Sequence, residues 1–214
     1  DALVAMEQLW GVADGMGGHK GGEIASAGAR DGLTRILRGK DPDPKMLRFA
    51  VEAVNRRLYL QQKDDASLSG MGTTLTLLWA ASKEVYIAQV GDSRAYHFTR
   101  EDVRLITRDH SMVAYMVERG ELTQEQAKLH PGKNVITRAV GTEPEVEGDI
   151  FTCRLRRDEC ILLCSDGLSN EMADQEMLFE VVHGLSKSDC CQRLLYIAKN
   201  RGAPDNVTVT LAAV

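Results

Sequence analysis

Two pairs of amphipathic stretches are set among a series of short apolar runs, and few folds satisfy both. Ala25, Ala29, Leu33, Ile36 and Leu37 share one face of a helix predicted over 23–38. Leu47, Val51, Val54 and Leu58 share one face of a second helix over 45–63. The intervening Lys40-Asp-Pro-Asp-Pro44 breaks the two apart. A second pair is predicted over 172–184 and 188–201, with Cys191, Leu194, Leu195 and Ala198 along one face. Strands are predicted over 9–13, 73–80, 85–90, 95–98, 103–106, 149–155 and 159–165, with a closing strand over 206–214. Two short helices are predicted over 111–120 and 123–129. The turn Gly91-Asp-Ser-Arg94 predicts an antiparallel meander running from 73 to 106. Each helix pair must bury its apolar stripe on a sheet. The economical arrangement is α+β, a four-layer α/β/β/α sandwich in which two antiparallel sheets pack together with helices outside each.

At 214 residues the chain is read as one domain, 1–214. Apolar residues at 43% and charged residues at 27% suit a water-exposed globular protein. A net charge of −5 argues against nucleic acid or an anionic membrane as the main partner. No apolar run reaches the roughly 18 residues a spanning helix needs, and no signal peptide is read. The chain begins at Asp1 without a methionine, which suggests a longer parent. Its five cysteines are odd in number and include no Cys-x-x-Cys. That argues against a disulfide framework or structural zinc and for the cytoplasm.

Three aspartates stand where apolar runs meet turns: Asp14 in Trp10-Gly-Val-Ala-Asp-Gly15, Asp166 in Ile161-Leu-Leu-Cys-Ser-Asp-Gly167, and Asp205 in Ala203-Pro-Asp-Asn206. Any one of them alone reads as a turn residue, because Asp-Gly tolerates positive φ. The recurrence points further. Carboxylates held at strand ends and brought together repel one another unless a cation neutralises them. Gly15-Met-Gly-Gly-His-Lys-Gly-Gly22 is richer in glycine than a turn requires. The pattern predicts a hard-metal site of oxygen ligands and metal-assisted hydrolysis.

Six segments in order resemble those of the metal-dependent serine/threonine protein phosphatases of type 2C, particularly the bacterial branch. They are Val12-Ala-Asp-Gly-Met-Gly-Gly-His19, Gly70-Met-Gly-Thr-Thr74, Val90-Gly-Asp-Ser-Arg94, Thr107-Arg-Asp-His110, Leu163-Cys-Ser-Asp-Gly167 and Pro204-Asp-Asn-Val207. The resemblance implies hydrolysis of phosphoserine and phosphothreonine on proteins by a metal-activated water. It implies two Mn²⁺ or Mg²⁺ ions bridged by Asp14, with the Gly15 carbonyl completing one shell and Asp166 and Asp205 on the other side. Asp109 matches a ligand of a weaker third ion. Asp1 matches an aspartate that serves as base. Residues 111–141 match a flap over the site. The family's phosphate-gripping arginine and first strand fall upstream of Asp1. The resemblance also implies phosphorylated protein substrates, a Hanks-type kinase as counterpart, and a monomer.

His19 is the candidate general acid for the leaving alkoxide, because it shares the Gly-rich loop with Asp14; its alternative is a surface histidine that shapes the loop. Arg94 is the candidate for substrate phosphate, because guanidinium matches that geometry. Its alternative is a structural pairing with Asp92 or support of the hairpin. His110 is read either as an outer partner of the metal site or as structural. The competing functions are a pseudophosphatase that acts as a regulatory binding module, and a structural metal-binding domain.

Overall fold

The computed structural model describes residues 1–82 and 84–213, apart from the side chain of His19. One sheet has five strands in the order β1 (Ala2–Met6), β2 (Leu9–Ala13), β5 (Leu75–Ala80), β6 (Val85–Val90) and β9 (Asp149–Cys153). The other has four, in the order β11 (Val209–Ala213), β10 (Cys160–Cys164), β7 (Arg94–Phe98) and β8 (Val103–Leu105). Neighbours in both are antiparallel. A two-residue ribbon, β3 (Gly15–Met16) with β4 (Gly72–Thr73), sits beyond the end of β2. Helices α1 (Gly18–Leu37) and α2 (Pro44–Asp64) cover the first sheet, and α6 (Asp174–His183) and α7 (Lys187–Asn200) cover the second. No helix among the described residues is long and apolar enough to cross a membrane.

The period of two along each strand sorts side chains into three apolar layers. In β5, Leu75, Leu77 and Trp79 face α1 and α2, where they meet Ala29, Leu33, Val54 and Leu58. Leu78 of the same strand points the other way, into the space between the sheets, with Val12, Ile87, Ile161 and Leu163. On β10 the alternation repeats: Cys160, Leu162 and Cys164 face Leu194 and Ala198 of α7. A strand covered on both faces cannot alternate apolar with solvated polar residues, which is why 160–164 is an unbroken apolar run and 75–80 is interrupted only by Thr76, itself buried with its hydroxyl donating to the Ser93 carbonyl at 2.7 Å. Each fully buried Leu contributes about 1.5–3 kcal/mol. Truncating Leu77, at 0% exposure, would strip about 2–5 kcal/mol from the helix-facing layer.

The four-layer sandwich agrees with the sequence pattern, but its connections differ in three places. The meander predicted from 73 to 106 does not form. The Gly91–Ser93 turn carries the chain out of the first sheet, where β5 pairs with β6, into the second, where β7 pairs with β8 and β10. A strand precedes Leu9: Ala2–Met6 pairs along β2 through a tight turn in which Gln8 takes φ 66°. Helix α1 starts at Gly18 rather than Glu23, because the second half of the Gly-rich stretch is itself helical.

Candidate active site

The carboxylates collect at one end of the sandwich, where β2, β6, β8 and β10 end and β11 begins. Asp14 follows β2 and is fixed through its backbone. Its N–H donates to Thr74 Oγ1 at 3.0 Å, and its carbonyl accepts from Thr74 N at 2.8 Å and Thr73 Oγ1 at 2.8 Å. Thr74 Oγ1 in turn lies 2.7 Å from Ser93 Oγ, which joins Asp14 to the turn that carries Asp92. The Gly70–Thr74 segment therefore holds the site through hydroxyls and backbone. Gly15 and Gly22 lie backbone against backbone: a Cβ on Gly15 would stand 2.0 Å from the Gly22 carbonyl oxygen. That contact, rather than helix propensity, explains Gly22 inside the first turns of α1.

Asp166 is the first residue of α5 (Asp166–Ser169) rather than a turn residue. The preceding Ser165 donates its N–H to the Thr208 carbonyl at 3.0 Å, and its Oγ accepts from Thr208 N at 3.0 Å. Gly167 packs on the Asn206 carbonyl, which a Cβ would approach to 2.2 Å. These contacts bring the Asp205 loop beside Asp166. Asp1 joins the same edge, where its Oδ2 accepts from Thr208 Oγ1 at 2.7 Å.

Burial, then the negative charges of Asp166, Asp205 and Asp92, push the Asp14 carboxyl up to about 7. Burial, then Asp166 and Asp109, raise Asp92 to about 7. Asp166 is raised by burial and by Asp205. Asn170 donates to Asp166 Oδ2 at 3.1 Å, while Asp166 Oδ1 is buried with no hydrogen-bond partner among the described residues. Among the described residues, no three His, Cys, Asp or Glu side chains already close on a single point as a cage. They share a strongly negative field instead. An all-oxygen donor set, mutual repulsion and an orphaned buried carboxylate oxygen fit a hard divalent cation.

The structure thus brings together Asp14, Asp166 and Asp205, with Asp109 nearby and Asp1 at the rim. Asp92 joins them, although the sequence pattern suggests it only as a partner of Arg94. Its signal is the same as that of Asp14: an apolar strand, 85–90, that ends in a Gly-Asp turn. Arg94 is held by Asp109 rather than Asp92. Its Nη2 lies 2.7 Å from Asp109 Oδ2, its Nε 3.0 Å from Oδ1, and its Nη1 donates to Tyr96 Oη at 3.0 Å. The His19 backbone lies in α1, and its side chain is outside the described residues. Burial lowers the pKa of His110, which favours the neutral imidazole. Burial also pushes the Cys164 and Cys190 thiols up to about 12 and Cys160 up to about 11, as befits core residues.

Residues 111–141 leave the sandwich between two isolated bridges, Ser111 to Ile136 and Thr73 to Val140. They carry α3 (Met112–Glu118), capped by Ser111 Oγ, and α4 (Gln124–Leu129), closed by a Thr123–Gln126 capping box. No α3 side chain is fully buried, so little apolar packing holds this segment beyond its base.

Comparison with known proteins agrees with this geometry. The family described as protein phosphatase 2C matches residues 3–193. The serine/threonine phosphatase stp of Listeria welshimeri is 37% identical over 207 residues, which span 94% of this chain and 82% of that protein. The crystal structure of Stp1 from Staphylococcus aureus superposes with a TM-score of 0.93 at 36% identity, covering 100% of this chain and 87% of that one. The catalytic domain of PstP in complex with two manganese ions gives a TM-score of 0.87 at 33% identity, covering 98% of this chain and 89% of that one. The chain belongs to the protein phosphatase 2C family.

Proposed function

We propose that the chain hydrolyses phosphoserine and phosphothreonine on proteins with Mn²⁺ or Mg²⁺ as cofactor. The observation that carries this is the buried, mutually repelling carboxylate group of Asp14, Asp92 and Asp166 with Asp205 beside it. A non-catalytic fold would gain stability by discarding such a group. Asp14, the Gly15 carbonyl, Asp166 and Asp205 would hold two such cations, and Asp109 and Asp92 would serve a weaker third. When bound, the cations lower the pKa of water and neutralise charge on the phosphoryl oxygens.

The remaining work falls to side chains. Asp1, oriented by Thr208, accepts a proton from the attacking water through its second oxygen. His19 donates a proton to the departing seryl or threonyl oxygen. Arg94 keeps Asp109 oriented instead of gripping phosphate, since three of its contacts go to that carboxylate. Residues 111–141 act as a flap whose loosely packed helices meet the substrate protein. The enzyme works as a cytoplasmic monomer opposite a Hanks-type kinase.

The test is phosphate release from a phosphothreonine peptide with Mn²⁺, with and without chelator. Activity is expected with metal, lost on chelation and restored by added Mn²⁺. Asp166→Asn is expected to abolish it with the fold intact. Robust turnover by that variant overturns the metal assignment.

A further inference from the structure

We propose that His110 is a positioning residue that fixes the Gly91–Asp92 turn and ties it to the base of the 111–141 segment. The inference rests on reading the carboxylate group as a metal centre. His110 occupies both polar groups of Gly91. Its N–H donates to the Gly91 carbonyl at 2.9 Å, and its Nδ1 accepts from Gly91 N at 3.1 Å. The imidazole thus stands where the carbonyl of a pairing strand would stand, and the next residue along the chain is Asp92.

Because Nδ1 accepts, the ring proton sits on Nε2 and donates to Asp149 Oδ2 at 3.2 Å. Arg138 Nη1 lies 3.2 Å from the same Nε2 and donates to Asp149 Oδ1 at 3.0 Å and to the Glu147 carbonyl at 2.9 Å. The His110 carbonyl accepts from Thr137 N at 2.8 Å. On the opposite side Gln89 Nε2 donates to the Gly91 carbonyl at 3.2 Å, and Gln89 Oε1 accepts from Arg108 N at 3.0 Å. His110 is 7% exposed, so water cannot replace these contacts. One ring nitrogen serves the metal-facing turn and the other serves β9 and the segment base. A histidine kept only for packing would not divide its nitrogens this way.

The two halves of the ring can be separated by substitution. His110→Asn keeps an acceptor where Nδ1 stood and loses the Nε2 contact. His110→Gln keeps a donor near Nε2 and leaves Gly91 N without a partner. Mn²⁺ binding is measured by calorimetry on the whole chain, with the metal-free melting temperature read in parallel. His110→Gln is expected to weaken Mn²⁺ binding by about 10–100-fold, and His110→Asn by no more than about threefold. In an Asp92→Asn background His110→Gln is expected to have no further effect on Mn²⁺ binding. Equal losses in both variants, tracking their melting temperatures, overturn the proposal, as does additivity with Asp92→Asn. If His110→Gln does not fold, His110→Asn decides, and a large loss of Mn²⁺ binding there overturns it. A parent chain that takes up no Mn²⁺ sinks the functional reading, and this inference with it.

Discussion

Arg94 and Asp109 form a fork-to-fork pair, with Nη2 2.7 Å from Oδ2 and Nε 3.0 Å from Oδ1, at side-chain exposures of only 29% and 14%. A partly buried pair of this geometry is costly to break from one side, because the remaining charge stays desolvated. Arg94→Ala is therefore expected to destabilise the chain by about 3–5 kcal/mol in urea unfolding. Arg94→Lys keeps the charge and loses the fork, and should recover only part of that. A raised KM for phosphopeptide with unchanged stability would instead make Arg94 a substrate ligand.

Asp14 and Asp92 both titrate near pH 7 in the metal-free chain, far above their ordinary 3.8. The folded state then binds more protons than the unfolded state between those values, so stability falls as pH rises across that window. The contribution is fully present below about 3.8 and lost as pH passes about 7. In chelator the melting temperature should drop from pH 5 to pH 8. Mn²⁺ should flatten that slope, because cation binding displaces the protons. Asp92→Asn should remove its own share. A melting temperature that rises with pH in chelator contradicts the assignment.

The layers are legible because burial on two faces writes itself into local sequence: 160–164 is apolar throughout, 75–80 is apolar but for the buried Thr76, and the helices keep a period near 3.6. Asp14 and Asp166 stand out because each ends such a run. Strand β1 is hidden because its turn depends on Gln8 at φ 66°, a residue that carries no turn signal. The passage of 91–93 between sheets is hidden because a two-strand pairing and a crossover share the same Gly-Asp-Ser signature. Asp92 is obscured for the same reason, since its turn reads first as a hairpin with an arginine to satisfy. The Gly167–Asn206 contact joins residues far apart in sequence, and no local periodicity encodes it.

That contact gives a third test. A Cβ on Gly167 would lie 2.2 Å from the Asn206 carbonyl oxygen, a backbone atom that cannot rotate away. Gly167→Ala must displace the 205–206 loop from Asp166, at a cost of about 1–3 kcal/mol. Mn²⁺ affinity should fall more than the loss of stability explains, because Asp205 moves while Asp14 does not. Calorimetric titration of the folded variant with Mn²⁺ checks this. Unchanged affinity would show that the loop carries no ligand.

Cys164 separates metal chemistry from thiol chemistry. It is fully buried on β10 against α7, two residues before Asp166, and its thiol is pushed up to about 12 by burial. At pH 8 it is almost entirely protonated and shielded, so iodoacetamide should not modify it until the chain unfolds. Cys164→Ala should cost stability through a small cavity, about 1 kcal/mol, and leave kcat near that of the parent. Loss of turnover in a variant that remains folded and binds Mn²⁺ would place a sulfur nucleophile in the reaction. The carboxylate group predicts the opposite, because everything needed to activate water is supplied by oxygen ligands at the end of the sandwich.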